Sequence, residues 1–224
     1  MEGAAGLDIG IGRATPELAP PEIASMEHTP VVVFSHLRWN SVLERPHHVV
    51  SRLAERRDIL FVEEPVTNGA VAGLEVVRVA PRIRVVRPQL PVDGPGFGPR
   101  QEKIVTAQLG RLLEREGWDR FVAWLYTPMA VSVAQGLHPA TIVYDCMDEP
   151  TRFPNAPAGI EERENELFEC ADAVFTDGPS LYRAKERFHP YVHCLPSGAD
   201  RQHTVDRMDA ILRQVAGETL RSIA

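Results

Sequence analysis

Cysteine is scarce in this 224-residue chain: Cys146, Cys170 and Cys194 form no CxxC pair, and one is left over whatever the pairing. Neither a disulfide framework nor a zinc knuckle is indicated, and a reducing cytoplasm is the simplest setting. No apolar run approaches the ~18–20 residues that span a bilayer. The first thirty residues lack the basic start and apolar core of a signal peptide; rich in Pro and Ala, residues 1–28 are expected to form a disordered leader. Positive charge is also in deficit. Lys+Arg number 24 against 31 Asp+Glu, and a formal net charge of −7 argues against nucleic acid as a partner. Finally, no D-x-D occurs anywhere, which argues against a bound metal, and no cofactor is expected.

What the chain does have, from Val31 onward, is short apolar runs alternating with helical patterns. Strands are predicted at Val31–Ser35, Ile59–Glu63, Leu74–Val79, Phe121–Tyr126, Thr141–Tyr144, Ala173–Thr176 and Val192–Leu195. Most are continuously apolar, as strands covered on both faces must be. Helices are predicted at His47–Arg56, Gln101–Glu116, Met129–Gln135, Ile160–Cys170 and Ser180–Arg187. Strand and helix in this alternation imply an α/β fold: a doubly wound, mainly parallel, Rossmann-like sheet over residues 29–200. The ligand crevice of such a sheet lies beyond the carboxyl ends of its strands, so the post-strand turns are where chemistry is sought.

Two stretches break the alternation. Between Val77 and Lys103, six basic residues (Arg78, Arg82, Arg84, Arg87, Arg100, Lys103) face only Asp93 and Glu102. This reads either as a solvated edge strand guarded by arginines and prolines, or as a basic lip for anionic lipid or substrate. The second break is the tail. After "LPSGAD", residues 201–224 form an amphipathic helix with Val205, Met208, Ile211, Leu212 and Val215 on one side.

The turn after the first strand, "FSHLRWNSVLERPHHVV", is crowded with polar chemistry. Pro46 suits the first turn of a helix, whose amino end attracts anions. Arg45 and His47 would reinforce that end, while Arg38 and Trp39 would clamp a carboxylate or phosphate and stack on a sugar ring. The plainer reading has Trp39 and one histidine packing under the loop. The turn "VYDCMDEP" presents Asp145, Asp148 and Glu149 to the crevice, where a carboxylate can serve as general base to a hydroxyl. Its plainer reading is capping and solvation by Asp148 and Glu149.

Together, "RWNSVLERPHHVVSRLAERRDILFVEEP", "VYDCMDE" and "ADAVFTDGPSLYRAKERFHPYVHCLPSGADRQH" resemble the amino-terminal, acceptor-side half of a GT-B glycosyltransferase, closest to the retaining bacterial group 1/4-like enzymes. The resemblance covers roughly Val31 to His203. It implies a cleft-facing turn carrying Arg38, Trp39, Arg45 and His47, a catalytic base at Asp148, and a last helix at Thr204–Ile223 that packs back on the domain. Too few residues follow Asp200 for a second Rossmann-like domain, so the donor-binding half is expected to be missing. The pair Glu161 and Glu169 has the spacing of the family's donor motif but lacks its glycine-rich context.

Three functions are therefore weighed. The first is sugar transfer from a nucleotide-sugar donor to a hydroxyl of a glycan or lipid-linked acceptor, as in cell-envelope polysaccharide synthesis. It would be incomplete without a partner chain supplying a donor domain, and peripheral contact with the inner face of the membrane would run through Arg78–Lys103. The alternative is a non-catalytic module binding a glycan, a lipid headgroup or a partner. A flavodoxin-like or dinucleotide-binding domain ranks last, because the loop after Val31–Ser35 contains no glycine.

Overall fold

The computed structural model describes residues 28–41, 44–67, 71–91, 97–152, 155–197 and 201–223, with side chains in the last segment described over 202–215. The leader expected over residues 1–28 falls outside this set except for His28. Five strands, β1 (Val31–Ser35), β2 (Ile59–Glu63), β6 (Val122–Leu125), β7 (Thr141–Cys146) and β8 (Ala173–Thr176), are buried at every position. Their apolar continuity has a direct cause: successive side chains point to opposite faces, and both faces are covered. Val31 and Val33 point to one layer with Val49, Val50, Leu53, Met208 and Leu212. Val32 and Phe34 point to the other, with Val105, Leu109, Leu112, Val133 and Leu167.

The first layer is made by α1 (Arg45–Leu53) and α6 (Arg201–Ile223), the second by α2 (Pro99–Glu116), α3 (Val131–Gly136) and α4 (Ile160–Cys170). The helix starts follow simple chemistry. Proline occupies the first turn of both α1 and α2, where a missing N–H is tolerated. Gly117, with φ of 68°, ends α2 in the left-handed conformation that side chains other than glycine resist. A short helix α5 (Pro179–Lys185) leads to the last strand, β9 (Val192–Cys194).

The Arg/Pro-rich stretch begins in an edge strand, at the expected Leu74–Val79, but continues into a second strand that was not expected. A two-residue strand β3 (Val66–Thr67) precedes a hairpin of β4 (Gly73–Ala80) and β5 (Ile83–Leu90). Gln89 of β5 pairs with Val66 on one side and Gly73 on the other, so β5 lies inside the sheet and β4 forms its edge. Burial of Ile83 and Val85 in one layer and of Val86 and Leu90 in the other makes this arrangement favourable. Pro88 sits after the ladder to β2 ends at Val86 and before the ladder to β3 begins at Gln89, where a missing N–H does least harm.

The sheet runs β4-β5-β2-β1-β6-β7-β8-β9, parallel throughout except for β4. From β1 the chain builds outward through β2 to the hairpin, then returns through α2 to start again at β6 on the other side of β1. This reversal creates a crevice beyond the carboxyl ends of β1 and β6.

Candidate functional site

A cavity of about 500 Å³ occupies that crevice. Each wall comes from the first residues past a strand: His36 and Leu37 after β1, Glu64 after β2, Tyr126 and Thr127 after β6, Met147 and Asp148 after β7. The approach to α4, from Asn155 to Ile160, closes the far side. Four strand ends of a parallel sheet converge because they share one direction, so residues 112 positions apart in sequence, His36 and Asp148, meet at one rim.

The cavity's ionisable groups are unlike surface groups. Burial lowers the pKa of His36, although Glu44, a hydrogen bond to the Tyr126 backbone and the Asp148 carboxylate all pull it upward. Burial raises the Glu64 carboxyl, against the charge of Arg38. The Tyr126 phenol, deeply buried and facing Asp145, is raised well above its usual value of 10.0. At neutral pH the site thus offers a neutral imidazole and two carboxyl groups, while the Tyr126 hydroxyl is buried toward Asp145. The turn bearing Asp148 is fixed from beneath, since the Cys146 thiol donates to the Asp148 carbonyl at 3.2 Å. Burial pushes that thiol up to about 12, so it remains protonated and serves as a donor rather than a nucleophile.

Of the residues singled out in the sequence, Asp148 alone lines this cavity. The others are placed as follows. Arg45 is buried; its Nε and Nη2 donate to Asp145 Oδ1 at 3.0 and 2.8 Å, and its Nη1 donates to the Leu195 carbonyl. Burial opposes the Arg45 charge, but Asp145 outweighs it and the guanidinium pKa is raised. Burial pushes the Asp145 carboxyl up, against the pull of Arg45, which donates two hydrogen bonds to one of its oxygens. The remaining oxygen, Asp145 Oδ2, has no conventional partner, nor have Tyr126 Oη and Trp124 Nε1; the three face one another.

His47 completes a capping box with Glu44. Its Nδ1 accepts from the Glu44 N–H at 3.2 Å, so Nε2 carries the proton and donates to the Trp39 carbonyl at 2.7 Å. The negative charge at the amino end of α1 is therefore the chain's own Glu44. The Trp39 ring packs edge-on against Phe61, with centroids 5.1 Å apart, and tilts over His47. Arg38 donates to Glu63 Oε2 at 3.2 Å and to the Glu64 carbonyl at 2.6 Å. Glu149 accepts from Lys185 at 2.7 Å, in a buried cluster where Lys185 also meets Glu164 and Glu164 accepts from the Tyr144 hydroxyl. These side chains build and brace the rim from behind.

His36, Glu64 and Tyr126 are the cavity residues that motif reading passed over. Their signal was positional. Each is the first polar residue after an apolar strand, in "VVVFSHL", "ILFVEEP" and "VAWLYTP", and a switch point between β1 and β6 selects such positions. Among the described residues, no three His, Cys, Asp or Glu side chains group as ligands for a metal ion.

The sequence matches no protein-family model and no curated protein. Among solved structures, the chain is similar to sucrose-phosphate synthase from Thermosynechococcus elongatus in a form designated 27_220_406_426, with 14% identity and a TM-score of 0.55 over 84% of this chain and 99% of that one. It is also similar to sucrose-phosphate synthase from the same organism at 12% identity and a TM-score of 0.56, over 77% of this chain and 49% of that one. The chain thus spans about half the length of the latter. At these identities the likeness is one of fold: the doubly wound, Rossmann-like architecture of a single GT-B half, with its carboxy-terminal helix in place.

Proposed function

We propose that this chain is the acceptor-holding half of a GT-B glycosyltransferase, related to the retaining group 1/4-like enzymes. It would take part in transfer of a sugar from a nucleotide-sugar donor to a hydroxyl of a glycan or lipid-linked acceptor. The observation that carries this reading is the switch-point cavity in which Asp148 and His36 converge. Its volume is within the ~300–1,000 Å³ typical of small-molecule sites. Asp148 is the proposed general base, accepting the proton of the acceptor hydroxyl as that oxygen bonds to the donor sugar. His36, Glu64, Thr127 and Asn155 offer hydrogen bonds to the other hydroxyls. Of the residues first proposed to bind substrate, we assign Arg38, Trp39, Arg45, His47, Asp145 and Glu149 a supporting part, holding the strand ends in register.

The donor half would come from a second Rossmann-like domain, on a partner chain or elsewhere in the same polypeptide. No helix among the described residues is long and apolar enough to cross a membrane. We place the protein in the cytoplasm, with any membrane contact peripheral and through the exposed arginines of the Arg78–Lys103 region. Arg84 and Arg87 of that region are engaged with Glu116, Glu63 and Glu75.

A second reading, a glycan-binding module without turnover, is favoured by one observation: among the described residues no Lys or Arg lines the cavity to meet a diphosphate. The test is transfer from UDP- or GDP-sugars to a panel of glycosides, with Asp148→Asn alongside. Turnover that falls ~100-fold or more in the variant supports the enzyme. Glycoside binding with no turnover, even when a donor half is supplied, favours the module; an unchanged rate removes Asp148 from the mechanism.

A further inference from the structure

We infer that the cavity selects an uncharged sugar carrying an apolar arm, such as an alkyl or aryl glycoside, and rejects phosphorylated sugars. This deepens the acceptor-site reading above and rests on it. Among the described residues, the lining carries acidic side chains and no Lys or Arg. Glu64 and Asp148 are its carboxyl groups, and His36 is its one basic group among the described residues. The cations nearby are already held. Arg38 is turned to Glu63 and the Glu64 carbonyl, Arg45 to Asp145, and Lys185 to Glu149 and Glu164. Arg152, close in sequence to the rim, is exposed and outside the lining.

Helix α4 starts at the cavity wall, and its amino end would otherwise welcome an anion; Glu161 and Glu162 in its first turn oppose that. A phosphate entering here would meet two acids and, among the described residues of the lining, no Lys or Arg. Sugar hydroxyls, by contrast, find both acceptors (Glu64, Asp148) and groups able to donate (Thr127, Asn155, His36).

The rest of the lining is apolar. Leu37, Met147, Pro150, Pro157 and Ile160, together with the rings of Tyr126 and Tyr144, offer hydrocarbon to whatever lies against them. At about 500 Å³ the space exceeds what one pyranose ring requires. A free hexose would leave this apolar part wet, whereas an aglycone would cover it, and burial of apolar surface is favourable in proportion to its area.

The experiment is calorimetric titration of the full chain with free hexoses, their 4-nitrophenyl glycosides and their 6-phosphates, in gluco, galacto and manno configuration. We expect at least one nitrophenyl glycoside to bind ~10-fold or more tightly than its parent hexose, a gain equal to 1.4 kcal/mol, and no detectable binding of the phosphates. Glu64→Lys places a cation in the wall and is expected to admit a hexose 6-phosphate. Asp148→Asn, at an exposed position, is expected to weaken glycoside binding without admitting phosphate, which covers the case in which Glu64→Lys fails to fold. A 6-phosphate bound as tightly as the glycoside overturns the selectivity while leaving the acceptor-site reading intact. Failure of every sugar, neutral or phosphorylated, to bind overturns that reading itself.

Discussion

Glu63 shows how single residues set this rim. Its carboxylate is completely buried at the end of β2 and accepts from the Trp39 N–H at 2.7 Å, from Arg87 Nε at 2.7 Å and from Arg38 at 3.2 Å. Replacing it by alanine removes the anion and leaves two guanidinium groups and the half-buried Trp39 N–H without it. Glu63→Ala is therefore expected to cost ~3 kcal/mol in urea unfolding, near the lower end for breaking a buried ion pair because both arginines are partly solvated. A loss below 1 kcal/mol would show that the rim does not depend on it. His36 makes a second test. Because burial lowers its folded pKa below the ordinary 6.5, its contribution is fully present above that value and is lost as pH falls from 6.5 through the lowered folded value. Comparing wild type with His36→Gln between pH 7.5 and 5 isolates this contribution: wild type should lose more stability on acidification, and an equal loss in both would disprove it. Much of this was hidden in the sequence. Arg45 and Asp145 stood out because they are charged and flank strands, yet a charge at a strand end can face the crevice or pair behind it. Only the partner, 100 residues away, decides which.

At the scale of elements, α6 is held on α1 by two kinds of contact. Arg52 and Arg57 reach Asp206 at 3.0 Å and Asp209 at 2.8 Å, and beneath them Met208 and Leu212 enter the layer formed by Val49, Val50 and Leu53. The exposed pair Arg52–Asp206 contributes little, as solvated pairs do, whereas emptying a buried methionine site costs ~2–5 kcal/mol. Met208→Ala should thus destabilise strongly and Asp206→Ala by less than ~1 kcal/mol, read from thermal or urea midpoints. Similar losses in both would mean that charge, not packing, secures the helix. This helix was legible beforehand because its apolar stripe repeats at helical spacing, and so were the central strands, whose sequences are apolar at nearly every position. Of the hairpin, β4 was legible as the strand expected at Leu74–Val79, but its partner β5 was not. Ile83–Leu90 carries Arg84, Arg87 and Pro88, which read as edge chemistry; the strand is tolerated inside because Glu116, Glu63 and Glu75 receive the arginines and the proline meets a gap in the ladder.

At the scale of the molecule, the same topology that makes the crevice also grades stability across the sheet. β1 is flanked by β2 and β6, is buried at all five positions and packs on both layers. Toward the margins burial declines: β4 exposes Val76, Val77 and Val79 along one edge, and β9 has only three residues, none fully buried. A strand pairing on one side, with half its surface in water, opens without disturbing the rest; a central strand is released only when both layers separate. Amide hydrogen exchange should follow this order. Protection in β1, β2, β6 and β7 is expected to match the global unfolding free energy and to fall with added urea. The outer amides of β4 and those of β9 should exchange at least ~100-fold faster by local opening, with little urea dependence. The crevice sits at the rigid centre of this gradient, at the ends of β1 and β6, where His36 and Tyr126 are anchored. Uniform protection from β4 to β9 would refute the gradient, because the sheet would then open as one unit.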